Sequence, residues 1–446
     1  MMPLSPPNSL SGDFGPARPE WVRVNGEPFA APVLRRRIPL VVRWSMFGLA
    51  ASLPFEAADL GFASSSFSLA KLFGLLFVAS YFFFYNPLSG KRNFPELNLP
   101  LRCFLGYFLI FLVHGVFLEL NYLARYLSVI FTVAQLLVLF WIGASLLQNQ
   151  LLARRVLFAY ALSALVLAFG MLLQLPGFVV VIEGRMGERF TSLEYNPNFL
   201  AFSMALAALI FAGLALEQGA VRRTYWKWLL FGAMLPLLAV IVRTGSRAGL
   251  AAFAVGFAVY MAPWRDRRQG KTLVVLAILV LLSIGALVAA HPTILTRFEE
   301  TYAGNIVSRQ QINMASLNMV LERPLFGWQP VLLWEELGRR AGQLWRTKDA
   351  HNSLFHLLLE VGVLGAVPFI IGVYLCLRAA WRARNGAMGR LPLALMVCAL
   401  SANLAHTYIT RKPQWLVMAV AVAAGAAAQR DARLARMLAL GSKLRN

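Results

Sequence analysis

The sequence predicts an all-α polytopic membrane protein, and three observations carry that expectation. Of 446 residues, 59% are hydrophobic and only 14% charged, whereas about a quarter are charged in an ordinary soluble domain. The mean hydropathy is +0.63. The apolar residues fall into runs of spanning length, and basic residues gather in every second connection between them. The same composition excludes a disordered chain, a collagen-like repeat and a disulfide-rich secreted scaffold.

A membrane-spanning helix takes about 20 mostly apolar residues. About twelve candidate spans follow, over roughly 38–56, 66–86, 100–119, 124–147, 155–176, 197–216, 226–243, 247–264, 272–291, 353–378, 391–408 and 414–429. Five segments result: a tail at 1–37, nine spans within 38–291, one large loop at 292–352, three spans within 353–429, and a tail at 430–446. No stretch alternates like a β-barrel strand, and no internal repeat is evident. The first tail is rich in Pro, Gly and charge and lacks the apolar core of a cleavable signal. It is expected to stay in the cytoplasm, with the first span acting as an uncleaved signal.

Basic residues set the sidedness. Arg35–Arg37 precede the first span, Lys91 and Arg92 follow the second, and Arg154 and Arg155 follow the fourth. Arg222, Arg223 and Lys227 follow the sixth, and Arg265, Arg267, Arg268 and Lys271 the eighth. Arg378, Arg382, Arg384 and Arg390 follow the tenth, and the last tail is basic. By the positive-inside rule both termini are cytoplasmic, the spans are even in number, and the large loop lies outside. The net charge of +22 therefore reads as loop charge, anionic-lipid contact or an anionic-substrate site, and not as nucleic-acid binding.

Some arginines break the sidedness rule. Arg185 and Arg189 follow the fifth span, while Arg243 and Arg247 bracket the short external turn Thr244-Gly245-Ser246. Arg297, Arg309, Arg323, Arg339, Arg340, Arg346 and Lys348 sit in the large loop, and Arg411 and Lys412 in the last external connection. Arg339, Arg340 and Arg346 read as solvated or paired with Glu299, Glu300, Glu335 and Glu336. Arg185, Arg189, Arg243 and Arg247 have few acidic neighbours and lie tight against spans, where arginine is costly and marks a pathway or a ligand. Guanidinium pairs bidentately with phosphate oxygens, so the implied ligand is an anion at the outer face, most simply a lipid-linked diphosphate.

Five histidines occur. His114 and His406 fall within apolar spans and read as core groups; His291 is a boundary residue. His351 opens the run His351-Asn352-Ser353-Leu354-Phe355-His356, where the large loop re-enters the membrane. Asn352 or Ser353 can cap the helix that starts there. The positive end of its dipole disfavours imidazolium, so His351 reads as a neutral proton acceptor. At 3.6 residues per turn, His351, Phe355, Leu358, Gly362 and Gly365 are expected on one stripe, with the glycines admitting a neighbouring helix. An ordinary small-residue seam with a polar cap is the alternative. His356 falls on another face, suited to packing or a hydrogen bond. Cys103, Cys376 and Cys398 show neither a disulfide framework nor metal-ligand spacing. No Asp-x-Asp pair in an external segment, nucleophile elbow or Walker loop is present, so no metal and no cofactor are expected.

At these residues the chain resembles the O-antigen ligase and polymerase superfamily of bacterial envelope glycosyltransferases. The motif His-[Asn/Ser/Gln], nine residues, Gly-x-x-[Gly/Thr/Tyr] is matched by His351-Asn352 through Gly362-Val363-Leu364-Gly365. Arg189-Phe190 through Asn196-Pro197-Asn198, Thr244-Gly245-Ser246-Arg247, and Arg309 leading to Arg323-Pro324-Leu325-Phe326-Gly327-Trp328 are similar too, so the resemblance covers roughly 185–380. It implies a fold like the metal-independent GT-C glycosyltransferases, with short helices in one large periplasmic loop, in the inner membrane of a Gram-negative bacterium. It implies a periplasmic-face reaction moving glycan from undecaprenyl diphosphate to a hydroxyl of lipid A–core oligosaccharide. His351 becomes the base, Arg247 and Arg309 the donor-phosphate contacts, with Arg185 or Arg189 beside them; Arg243 is added by position. Polymerisation of the O-antigen repeat and glycan transfer to protein Ser or Thr share the motif, and a flippase for the same lipid would share the arginines. One dominant external loop favours the ligase. Surrounding lipids are the other expected partner, and nothing demands a second subunit.

Overall fold

The computed structural model describes residues 21–24, 27–30, 38–56, 68–85, 95–182, 189–192, 196–216, 224–262, 270–290, 305–342 and 349–443. Two compact units result, Pro39–Asp431, and Met1–Ile38 with Ala432–Asn446. In the second, strands β1 (Trp21–Val24) and β2 (Glu27–Ala30) pair antiparallel. The sequence between them is Asn25-Gly26, a strong hairpin signal, and the span-centred reading passed over it.

The larger unit is helical. It begins with α1 (Leu40–Ser52), α2 (Leu69–Tyr85), α3 (Pro95–His114), α4 (Leu123–Leu146) and α5 (Gln150–Leu172). Strands β3 (Val180–Ile182) and β4 (Arg189–Thr191) form a second antiparallel pair. Then come α6 (Pro197–Leu216), α7 (Thr224–Gly232), α8 (Met234–Arg243), α9 (Arg247–Met261) and α10 (Gly270–Ala290). The region before α13 holds α11 (Asn305–Glu322) and α12 (Leu333–Arg340). The chain continues through α13 (Ser353–Ala383), α14 (Leu391–Asn403) and α15 (Lys412–Lys443), whose last turns belong to the smaller unit.

Among the described residues, six helical stretches are long and apolar enough to cross a membrane: Glu96–Phe117, Leu120–Leu146, Gln150–Leu172, Pro197–Leu216, Tyr225–Arg243 and Ser353–Ala383. Leu40–Phe55, Leu69–Tyr85, Arg247–Met261, Ile278–Ala289 and Leu391–Asn403 are apolar but shorter. The expected span at 414–429 is the first half of α15. This is the make-up of a multi-pass membrane protein. Two expected spans differ in detail. The stretch 226–243 is interrupted at Ala233 between α7 and α8. The stretch 391–408 stops at Asn403, because Leu404 and Ala405 extend the apolar run without extending the helix.

The core centres on α6, which is buried on nearly every face. Its alanines let neighbours come close, as small residues do where no water drives association. A Cβ on Gly249 of α9 would collide with Ala201, and one on Gly256 would lie 2.8 Å from Leu209 and 2.9 Å from Cys398. Those two glycines, one heptad apart, thus let α9 sit between α6 and α14.

The segment carrying α11 and α12 has its own small core. Ile312, Ala315 and Met319 recur at helical spacing along α11 and meet Leu333 and Leu337 of α12, closing on Ala350 and on Leu359 of α13. Polar partners cover the outside: Arg339 and Arg340 bind Glu336, and Arg340 also reaches Glu322. Arg323 and Arg340 stack on Trp328 at 4.2 and 4.7 Å from its ring centre.

The segment locks into α13 at Gly362, which changes how that glycine is understood. Gly362 has φ 59° and ψ −168°, breaking the helix. The continuous stripe expected from His351 to Gly365 does not exist, since His351 precedes the helix and the helix is interrupted at Gly362. The break exposes backbone groups that the loop 323–328 satisfies: Trp328 N–H donates to the Leu359 carbonyl (2.7 Å), and Val363 and Leu364 N–H donate to Pro324 and Leu325 (2.8 and 3.2 Å). Gly327, with φ 79°, faces the break from the other side. Gly365 does face a helix: its Cβ would stand 3.4 Å from Ile110 of α3.

A methyl group at Gly362 would both adopt a glycine-favoured backbone region and collide with the Leu325 carbonyl. Strain of that kind costs about 1–3 kcal/mol before the clash is added. Gly362→Ala is therefore expected to lower thermal stability in detergent by several degrees, more than Gly285→Ala, where a Cβ meets nothing within 4 Å. Equal melting of the two variants would show that the interlock does not contribute.

Candidate functional site

Short-range chemistry places the candidate residues at the head of α13. His351 has φ 50°, which turns the chain from the preceding loop into α13. Asn352 is the N-cap: its Oδ1 accepts from Leu354 N–H (2.8 Å) and Phe355 N–H (3.4 Å). Ser353 instead donates to the His406 carbonyl (2.8 Å) and contacts Asn403 Oδ1. The head of α13 is thereby tied to the end of α14.

Around His351 the structure gathers groups from its own loop and from the connection after α14. Asp349 Oδ2 lies 4.0 Å from His351 Nδ1, and Thr407 Oγ1 donates to Asp349 Oδ1 at 2.7 Å. The His406 ring stands perpendicular to that of His351 at 5.9 Å. His406 is thus no mid-span core group; it lies in the connection after α14, although it is buried. A line of rings continues from His406 to Tyr408 (5.7 Å) and to Phe202 of α6, stacked at 4.8 Å. Burial pushes the Tyr408 phenol well above its ordinary pKa, with Asp349 adding to that and Arg411 opposing it. Arg411 is exposed and stacks over Phe199 at 4.7 Å. Lys412 is buried and forms an ion pair with Glu56.

The arginines form a second group. Ser246 caps α9, its Oγ accepting from Gly249 N–H at 3.1 Å, and Gly245 takes φ 62° in the turn. The turn leaves Arg247 half-buried at the first position of α9. Arg309 projects from α11, exposed at the surface. Its pKa lies below the ordinary arginine value, first through partial desolvation and then through the charge of Arg247. Two guanidinium groups 62 positions apart in sequence therefore share one field, which an anion between them would relieve. Arg243 stacks over Phe190 at 5.4 Å, and its Nη1 is buried with no hydrogen-bond partner. Arg189 has its backbone in β4, opposite Ile182. Arg185, Arg297, Arg346, Lys348, Glu299, Glu300 and His291 lie outside the described residues. Among the described residues no group of three or more His, Cys, Asp or Glu is arranged to hold a metal ion.

With Arg247 and Arg309 in one field and His351 at the head of a capped helix, the site can be compared with known families. Residues 231–370 match the O-antigen ligase family. The match supports the chain's place in the O-antigen ligase superfamily. It takes in Arg243, Arg247, Arg309, His351, Asn352, Gly362 and Gly365, whereas Arg185 and Arg189 precede it. No curated protein matches the chain. Within the matched segment, the stretch Arg323–Trp328 and Gly362 prove to be halves of one interlock. Sequence reasoning missed Asp349, which stands two residues from His351. It also undervalued His406, whose ring contacts reach His351, and the buried His356–Glu360 pair, which lies one turn apart within α13.

Proposed function

We propose that this protein is an O-antigen ligase. Its donor is glycan carried on undecaprenyl diphosphate, and its acceptor is a sugar hydroxyl of lipid A–core oligosaccharide. The observation that carries the reading is the shared field of Arg247 and Arg309 within the matched segment that also contains His351. Twelve spans with both termini cytoplasmic, in a GT-C-like arrangement, would place these groups at the periplasmic face of the inner membrane.

In this reading His351 takes the proton of the acceptor hydroxyl as its oxygen bonds to the anomeric carbon. The bond from that carbon to the diphosphate oxygen breaks, undecaprenyl diphosphate leaves, and the anomeric configuration inverts. Arg185, Arg189, Arg243, Arg247 and Arg309 hold the departing diphosphate. Diphosphate is already a competent leaving group, so positioning and charge stabilisation carry the catalysis, and transfer is expected to persist in chelator.

The test is purified protein incubated with lipid-linked glycan and three separate acceptors: lipid A–core, a glycan repeat and a pilin-like protein. Product on lipid A–core with stoichiometric release of undecaprenyl diphosphate is expected. Product confined to either other acceptor would reassign the protein to polymerisation or protein glycosylation. Movement of the donor lipid without its cleavage would make it a transporter.

A further inference from the structure

His351 stands at one end of a line of alternating imidazole and carboxylate groups. Asp349 Oδ2 is 4.0 Å from His351 Nδ1, and Asp349 Oδ1 is 4.0 Å from His356 Nδ1. His356 Nε2 is in turn 3.6 Å from Glu360 Oε2, and Tyr107 O–H of α3 donates to that oxygen at 3.4 Å. Asp349 is thus shared by two imidazoles. Its Oδ1 is anchored by Thr407, whereas His356 and Glu360 are almost fully buried. A buried carboxylate is costly unless partnered, and in this fold its partners are the next groups in the line.

Nothing in packing alone asks for this sequence of groups. His356 and Glu360 sit one helical turn apart on the buried face of α13, where two apolar side chains would fill the same space. Asp349 has no helix to cap, since Asn352 does that. The other titratable groups nearby are accounted for. His406 faces His351 from the connection after α14, Tyr408 stacks against His406, and Arg411 lies on Phe199. His114 of α3 lies within the field of Glu360. Glu335 of α12 turns outward to Arg125 of α4, and Glu336 binds Arg339 and Arg340.

We propose that Asp349 is the positioning residue of His351, and that the buried His356–Glu360 pair backs it, so that the line stabilises the imidazolium formed when His351 takes a proton. The assignment rests on reading His351 as the base. Asp349 faces Nδ1, which leaves Nε2 on the far side of the ring to receive the acceptor proton. At 4.0 Å the carboxylate favours that orientation through its charge and offsets the positive end of α13, which by itself opposes a charged imidazole. No proton needs to travel along the line, because its negative charges act through space.

The test follows the His351 imidazole by 15N-histidine titration of the full chain in nanodiscs, with His351→Ala to assign the signal. Asp349→Asn keeps an oxygen for Thr407 and removes the charge. It is expected to lower the titration midpoint of His351 by about one pH unit. In the transfer assay it is expected to lower kcat by about ten- to a thousandfold with the donor KM unchanged, and to move the acid limb of the kcat profile to lower pH. Glu360→Gln is the second variant, expected to move the midpoint the same way by less. A purely structural role would reduce the yield of folded protein and leave the midpoint in place. A midpoint unmoved in Asp349→Asn, or in Glu360→Gln should the first variant not accumulate, overturns the proposal. A moved midpoint in a protein that transfers no glycan upholds the electrostatic line and sinks the ligase reading.

Discussion

His351→Ala is expected to reduce glycan transfer by about 10²–10⁴-fold, the range for loss of a general base. The loss should fall on kcat, because in the proposed mechanism arginines on other elements hold the diphosphate of the donor. Affinity for lipid-linked donor, measured by binding to the protein in nanodiscs, should stay within about threefold. The substitution leaves the helix start intact, since the cap is made by Asn352 Oδ1 and not by the imidazole. It also leaves the tie of Ser353 to the His406 carbonyl. A folded protein with a catalytic defect is therefore the anticipated phenotype. Turnover retained within tenfold of the unaltered protein would remove His351 from the chemistry.

The second large effect is on binding. Each charge-assisted hydrogen bond contributes about 1.5–3 kcal/mol, or roughly ten- to a hundredfold in affinity. Replacing Arg247 and Arg309 together with alanine is expected to weaken donor binding by about 10²–10⁴-fold. The salt dependence of binding should fall with the two charges. Because the charge of Arg247 lowers the pKa of Arg309, replacing Arg247 should raise it, and either single replacement should cost stability little. Unaltered donor affinity in the double variant would count against an arginine clamp. Loss of binding restored by Arg309→Lys would show that charge suffices there, without the bidentate geometry that guanidinium provides.

The interlock between Arg323–Trp328 and the break at Gly362 shows why a motif can be visible and still be misread. The spacing from His351 to Gly365 suits three helical turns, so the sequence suggests one continuous stripe. A glycine at φ 59° can be read from coordinates but not from spacing, because the break is stabilised by carbonyls of Pro324 and Leu325 almost forty residues earlier. The cap was legible because it is local: Asn352 lies within three residues of the N–H groups it accepts from. The end of the penultimate span was misjudged for the opposite reason. Leu404 and Ala405 carry the hydropathy past Asn403, while His406 is held by its ring contacts with His351 and Tyr408.

Composition and periodicity alone determined that the chain is a bundle of apolar helices with basic connections. They also marked the arginines and the one histidine at the mouth of a helix, because burial preference and capping act over a few neighbouring residues. Only the folded chain decided which charges meet. The shared field of Arg247 and Arg309, the shared Asp349 and the buried His356–Glu360 pair all join elements that are distant in sequence or faces that spacing leaves ambiguous. Electrostatic coupling depends on separation through space, and folding sets that separation only after each helix has found its neighbours.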